Sequence, residues 1–275
     1  MKRARPLLGT FVEIEAAGLA ERDLERAVNA AFEAIARVHR LMSFHEPDSD
    51  VSRLNRNAVS GPVVVDRWTA RVLHWARTVF EATGGLFDCA VGYELMQSGV
   101  LPSRGLDHVE SGTFAAVEHL GDDRFRFSAP IAIDFGGIAK GFAVDRAIAI
   151  LRARSVREAV VNAGGDMRTI GPAPQTVYIR CPETNTRVVR VGLLRNAAIA
   201  TSAALATVGK RGGTAGVPAA KLQRCAFSVV APTCLVADAL TKVLIQLGDP
   251  AAPCFAAFGA TAFITRDDTI EHEAA

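Results

Sequence analysis

The sequence predicts an α+β fold in one compact unit spanning residues 1–275, and three observations point there. Helical and strand periodicities mix along the chain without strict βα alternation, which argues against a doubly wound sheet. The 275 residues are 49% hydrophobic and 22% charged, enough to bury a sizeable core without staples. No internal repeat, low-complexity tract or linker divides them.

Leu8 to Ala16 (LGTFVEIEA) alternates Val12 and Ile14 against Phe11, Glu13 and Glu15 and reads as a first strand. From Glu21 the period changes: Leu24, Val28, Ala31, Ile35, Val38 and Met42 form one face of an amphipathic helix that ends near Met42. Pro47, Asp48 and Ser49 make a polar turn, and Ser49 to Asn57 reads as a short helical turn capped by a Ser or Asp side chain. A second helix starts after Asp66, carries Trp68, Val72, Trp75 and Val79 on one face, and stops at Gly84-Gly85.

Gly99 to Ser128 is polar and turn-rich, and Ile131 to Asp134 reads as a brief apolar strand ending in glycines. A helix follows from Ile138 to about Arg152, then a buried strand from Ala159 to Asn162 that ends at Gly164-Gly165. Thr176 to Arg180 and Arg187 to Leu193 alternate as a hairpin would. A last long helix runs from Leu235 to Leu247, and Cys254 to Thr265 closes with a strand.

The formal net charge of +2 gives no field to recruit nucleic acid or an anionic membrane, so any anion must be bound locally. Cys89, Cys181, Cys225, Cys234 and Cys254 include no CxxC pair and no zinc-ligand spacing, and read as buried thiols of a reducing compartment. The basic start MKRARP is followed by too short an apolar stretch for a signal peptide, and Cys225 to Ala237 falls short of the roughly 20 residues that span a bilayer. A cytoplasmic protein with no membrane anchor is expected.

The densest chemical signal is Ile133 to Asp145, IDFGGIAKGFAVD. Its strand delivers Asp134 to a pair of glycines, and Lys140 follows in the first turn of the next helix. Backbone N–H groups and an ammonium at a helix N-terminus suit a phosphate or pyrophosphate. The glycine spacing is not that of a Walker loop, and no HRD loop makes the DFG triplet a kinase signature. Spacing alone leaves a Gly-rich turn with a solvated Lys equally open.

Asn162 to Asp166 (NAGGD) repeats the arrangement, and by itself reads as a turn with an exposed Asp. Two Gly-Gly strand ends, each with an acid, suggest a ligand cleft between Gly-rich loops. Asp238 in VADALTKVL lies on an otherwise apolar helix, where a carboxylate is costly unless paired or metal-bound, and Thr241 shares its face. His45 reads locally as a surface His, Asp88 as part of a turn, and Thr201 and Ser202 as small polar residues near a strand end. Cys89 reads as structural.

Taken in order, LLGTFVEIE, MSFHEPDSDVSRLN, TGGLFDCAVG, IDFGGIAKGFAVD, VVNAGGDMRTIGP, AIATSA and VADALTKVL resemble the ApbE family of FAD:protein FMN transferases. The resemblance implies an α+β fold that holds FAD in a cleft with Mg2+ on its pyrophosphate. It implies transfer of FMN from FAD onto a Ser or Thr of an acceptor protein, with release of AMP. By position, it implies that Asp134 and Lys140 contact FAD, that the Gly137 carbonyl, Asp238 and Thr241 hold the metal, and that Ser43, Phe44 and His45 lie along the flavin or adenine ring. Asp88 and Leu8 would line the same cleft. Asp166 matches the acid of the family's NAGGD loop.

The chain departs from the family pattern twice. No His occurs between Ala203 and Val230, where the family carries the expected base, so the catalytic base is unassigned and FAD carriage or sensing, or FAD hydrolysis to FMN and AMP, stands as the alternative function. Where the family has Thr four residues after the helix Asp, this chain has Lys242, with Thr241 one place earlier.

Overall fold

The computed structural model describes residues 1–180, 188–203 and 225–266. The first stretch holds β1 (Lys2–Leu7), β2 (Thr10–Ala17), α1 (Glu21–Met42), α2 (Asp50–Asn57), β3 (Val63–Val64), α3 (Arg67–Ala82) and α4 (Gly92–Gln97). Then come β4 (Val117–His119), β5 (Arg124–Phe127), α5 (Ala139–Ala153), β6 (Glu158–Ala163), β7 (Asp166–Ile170) and β8 (Gln175–Arg180). β9 (Val188–Leu194), β10 (Ala198–Ala203), β11 (Cys225–Ala231), α6 (Cys234–Leu247), α7 (Pro253–Ala257) and β12 (Thr261–Arg266) complete the chain. The α+β class is as the sequence predicts. The described residues group into two compact units: 1–35, 140–180, 188–203 and 225–266 form the first, and 36–139 the second.

In the first unit a seven-stranded antiparallel sheet runs in the order β1-β2-β6-β7-β10-β11-β12. Val12, Ile14 and Ala16 of β2 and Ala159, Val161 and Ala163 of β6 are buried, as alternation requires of a sheet with one covered face. α6 packs on β7, β10 and β11. Behind the sheet, the β8–β9 hairpin buries Val177 and Leu194 against Ile199, with Met167 and Phe263 beside them.

Leu8 and Gly9 are the two-residue turn between β1 and β2, with φ of 56° and 72°. This corrects the expected strand start at Leu8: both turn residues are left-handed, as the tight turns favoured in hairpins require, so the strand begins at Thr10. β1 itself was unread because KRARPL has no alternation.

The second unit is built on caps and a small sheet, β3-β5-β4. Ser49 caps α2 by accepting the N–H of Ser52 at 3.1 Å, and Asp66 caps α3 by accepting that of Trp68 at 2.9 Å. Each such cap is worth about 1 kcal/mol. The expected turn-rich stretch Gly99 to Ser128 contains β4 and β5, where Phe125 and Phe127 are buried between exposed arginines. Ile131 to Asp134 joins no sheet, which corrects the expected strand. The Asn55 amide takes the place of a neighbouring strand, donating to the Ile133 carbonyl at 2.9 Å and accepting its N–H at 2.8 Å. The expected Cys254 to Thr265 strand is extended only from Thr261, in β12 (Thr261–Arg266), because Pro253 opens a short helix first.

Candidate functional site

In the first unit, β6 and β7 form a hairpin whose turn is Gly164-Gly165, with φ of 65° and 104°. A Cβ on Gly164 would lie 2.6 Å from the Thr10 hydroxyl, so the first residue of β2 packs directly on this turn. The turn delivers Asp166 inward. Asp166 is only 1% exposed, and its Oδ2 lies 2.5 Å from Lys140 Nζ. The exposed Asp expected from NAGGD is thus corrected: its ammonium partner is supplied from 26 residues away.

Asp238 and Thr241, on α6, are fully buried. Asp238 Oδ2 accepts the N–H of Gly141 at 3.1 Å, in the first turn of α5. In return Asp145 of α5 accepts the N–H groups of Cys234 and Leu235, at 3.0 and 2.9 Å, and pairs with Arg168 at 2.5 Å. Each helix therefore satisfies donors at the other's N-terminus. Gly141 is required at this crossing, since a Cβ there would lie 2.3 Å from the Cys234 carbonyl oxygen.

Among the described residues, Asp238 Oδ1 has no hydrogen-bond donor. Lys242 Nζ lies 3.5 Å from it, one helical turn on. A hydroxyl chain joins the two ends of this turn: Lys242 Nζ donates to Ser202 Oγ at 2.7 Å, Ser202 Oγ lies 2.9 Å from Thr241 Oγ1, and Thr241 donates to the Asp238 carbonyl at 2.7 Å. Thr201 and Ser228 pair hydroxyls at 2.9 Å on the adjoining strands.

Burial, followed by the Asp238 charge, raises the Asp166 carboxyl to about 6. Burial alone would lower Lys140, but the charges of Asp238 and Asp166 outweigh it and hold the ammonium above the usual lysine range. Cys234 is pushed well up by burial and then by the acids around it, so its thiol is inert.

A buried carboxylate oxygen without a donor suits a hard cation. Thr241 Oγ1 is committed to its own helix and to Ser202, so it would join a metal only after those bonds rearrange. No group of three His, Cys, Asp or Glu side chains close enough for a metal occurs among the described residues. Mg2+ fits such a poor protein donor set, because it is commonly held by one or two carboxylates and completed by water and substrate phosphates.

In the second unit, Ser43, Phe44 and His45 follow α1. The Ser43 hydroxyl accepts the His45 N–H at 3.2 Å, and the Ser43 carbonyl accepts from the Ser49 hydroxyl at 2.7 Å. Phe44 is buried and His45 exposed. Asp134 Oδ2 accepts the Gly136 N–H at 2.8 Å, which opens the turn that carries Gly137. Burial raises the Asp134 carboxyl, opposed by that N–H and by the charge His45 can carry. The Asp88 carboxylate receives the N–H groups of Ala90 and Phe114, at 2.7 and 3.1 Å, and so fixes two loops.

The structure thus gathers Lys140, Asp238 and Thr241 and adds Asp166, Lys242 and Ser202, while Asp88 acts through the backbone. Asp145 went unnoticed in the sequence, although it carries the same signal as Asp238, an acid on an apolar helix. The His-free stretch that follows β10 lies largely at 204–224, outside the described residues.

Curated relatives share a name. FAD:protein FMN transferase of Treponema pallidum (strain Nichols) is 26% identical over 287 residues, covering 90% of this chain and 78% of that protein. The Rhodobacter capsulatus protein of the same name is 29% identical over 222 residues, covering 75% of this chain and 42% of its own length. Among solved structures, a variant of the flavin transferase ApbE from Vibrio cholerae superposes with a TM-score of 0.75 at 20% identity, over 98% of this chain and 94% of that one. The ApbE protein of Thermotoga maritima gives 0.72 at 24% identity, over 98% and 97%. These likenesses show the fold, and the family description matched by residues 8–264, nearly the whole chain, places the protein in the ApbE family.

Proposed function

We propose that this protein is a Mg2+-dependent FAD:protein FMN transferase, working as one ApbE-like domain over residues 1–275. The observation that carries this reading is the cluster in the first unit: ammonium groups of Lys140 and Lys242 set against buried Asp166 and Asp238, with Asp238 Oδ1 lacking a donor. Such a cluster accepts a diphosphate on its ammonium side and a divalent cation on its carboxylate side. The shared name of the curated relatives supplies the nucleotide.

In this reading Lys140 binds the FAD pyrophosphate, and Leu8, at the strained hairpin tip, lines the ligand. Ser43, Phe44, His45, Asp88 and Asp134 are assigned to the flavin nucleotide, and Gly137, Asp238 and Thr241 to the metal. Mg2+ held at Asp238 and Thr241 would withdraw charge from the phosphates. An acceptor Ser or Thr oxygen attacks the FMN phosphorus, the bond to the adenylate oxygen breaks, the hydroxyl proton is lost, and AMP leaves. No helix is long and apolar enough to cross a membrane among the described residues. The cysteine usage supports a cytoplasmic site of action.

The test is to incubate the protein with FAD and Mg2+, with and without candidate acceptor proteins, and to follow AMP and acceptor mass. Acceptor-dependent AMP together with an FMN-sized mass gain supports transfer. AMP without acceptor shows hydrolysis, and retained FAD without AMP shows a carrier; either result overturns the transferase reading.

A further inference from the structure

We propose that Lys242 makes cation binding at Asp238 conditional on a bound diphosphate, so that the metal and the diphosphate enter together. This inference rests on the flavin-nucleotide reading of the same cluster and concerns the order in which its parts fill.

Among the described residues the cluster is charge-balanced: Lys140 pairs with Asp166, and Lys242 stands beside Asp238. The neighbouring acid Asp145 is matched by Arg168. A divalent cation arriving alone at Asp238 Oδ1 would meet an ammonium already 3.5 Å from that oxygen, with a second ammonium on the adjoining acid. In a site where Asp238 is fully buried, that repulsion is poorly screened.

A diphosphate changes the balance. Its negative charges attract Lys242, whose hydrogen bonds among the described residues are to the neutral Ser202 and Thr241 hydroxyls, and whose flexible stem lets the ammonium move. Once Lys242 turns to the phosphate, Asp238 Oδ1 loses the ammonium beside it, and the Ser202 and Thr241 oxygens lose Lys242 as a donor. The oxygens that a cation needs are released in the same step that brings its counter-charge. A Thr in place of Lys242 would impose no such condition.

The experiment measures Mn2+, as a magnetic stand-in for Mg2+, by electron paramagnetic resonance on the full-length protein and on Lys242→Met and Lys242→Gln. Each form is titrated alone, with inorganic pyrophosphate and with FAD. Lys242→Gln keeps a donor for Ser202 Oγ, so a folding defect in one variant, checked by circular dichroism, does not decide the outcome.

Without phosphate ligand, the neutral variants should bind Mn2+ about tenfold or more tighter than the parent protein, as removal of a like charge a few ångströms away requires. Pyrophosphate should bring the parent's affinity up toward theirs. Adding Asp238→Asn should abolish the gain. Equal Mn2+ affinity of parent and variants without phosphate, or a gain that survives Asp238→Asn, overturns the proposal. If pyrophosphate behaves as expected while FAD binds to no form, the flavin-nucleotide reading fails and the role of Lys242 stands.

Discussion

Asp238 and Gly141 are joined by a 3.1 Å hydrogen bond that ties the second turn of α6 to the first turn of α5, so a candidate metal ligand is also a structural cap. The two roles use different oxygens, since only Oδ1 is without a donor.

Asp238→Asn should therefore separate them. An amide oxygen can still accept from Gly141, so unfolding free energy should fall by no more than about 1–3 kcal/mol in urea. Mg2+-dependent FAD binding should fall far more. Unchanged Mg2+ titrations of FAD binding would remove Asp238 from the metal site.

Gly141→Ala tests the crossing itself. The added methyl would meet the Cys234 carbonyl at 2.3 Å, and backbone cannot yield cheaply, so a loss of about 1–3 kcal/mol or more is expected. A variant as stable as the parent would mean that the helices are farther apart than described.

Lys140→Ala should weaken FAD more than FMN, because the ammonium is assigned to the pyrophosphate, which FMN lacks. A charge-assisted contact of this kind is worth roughly 1.5–3 kcal/mol. Calorimetry showing equal losses for both ligands would place Lys140 elsewhere.

Asp166 gives the fold a pH dependence of definite sign. Its carboxyl is raised to about 6 in the folded protein, so between about pH 4 and 6 the native state holds a proton that the unfolded chain has released. Its stabilising contribution is complete below the unfolded value and is lost as pH rises through about 6. Urea midpoints of the parent should decline across this window relative to those of Asp166→Asn, and a parallel profile would contradict the assignment.

Much of the helical frame was legible in the sequence because its determinants are local. Ser49 and Asp66 cap the helices they precede, and the three-to-four-residue spacing of Leu24 to Met42 gives α1 both its length and its buried face. Other features were missed where a distant partner decides. Ile131 to Asp134 looks like a strand, but Asn55 satisfies the Ile133 backbone across 78 residues of sequence. Asp166 looks exposed until Lys140 is placed beside it. The site was partly legible for the same reason: Asp238 stands out as an acid among apolar residues, whereas Ser202 gains meaning only through Lys242, 40 residues on.

The central claim, that the FMN phosphorus is the one attacked, is tested most directly with two radiolabelled forms of FAD. One carries 32P in the flavin-side phosphate and the other in the adenylate-side phosphate, and each is incubated with the protein, Mg2+ and candidate acceptor. Transfer predicts flavin-side label on the acceptor and adenylate-side label in free AMP. Adenylate-side label on the acceptor, or both labels in free nucleotides alone, would contradict it.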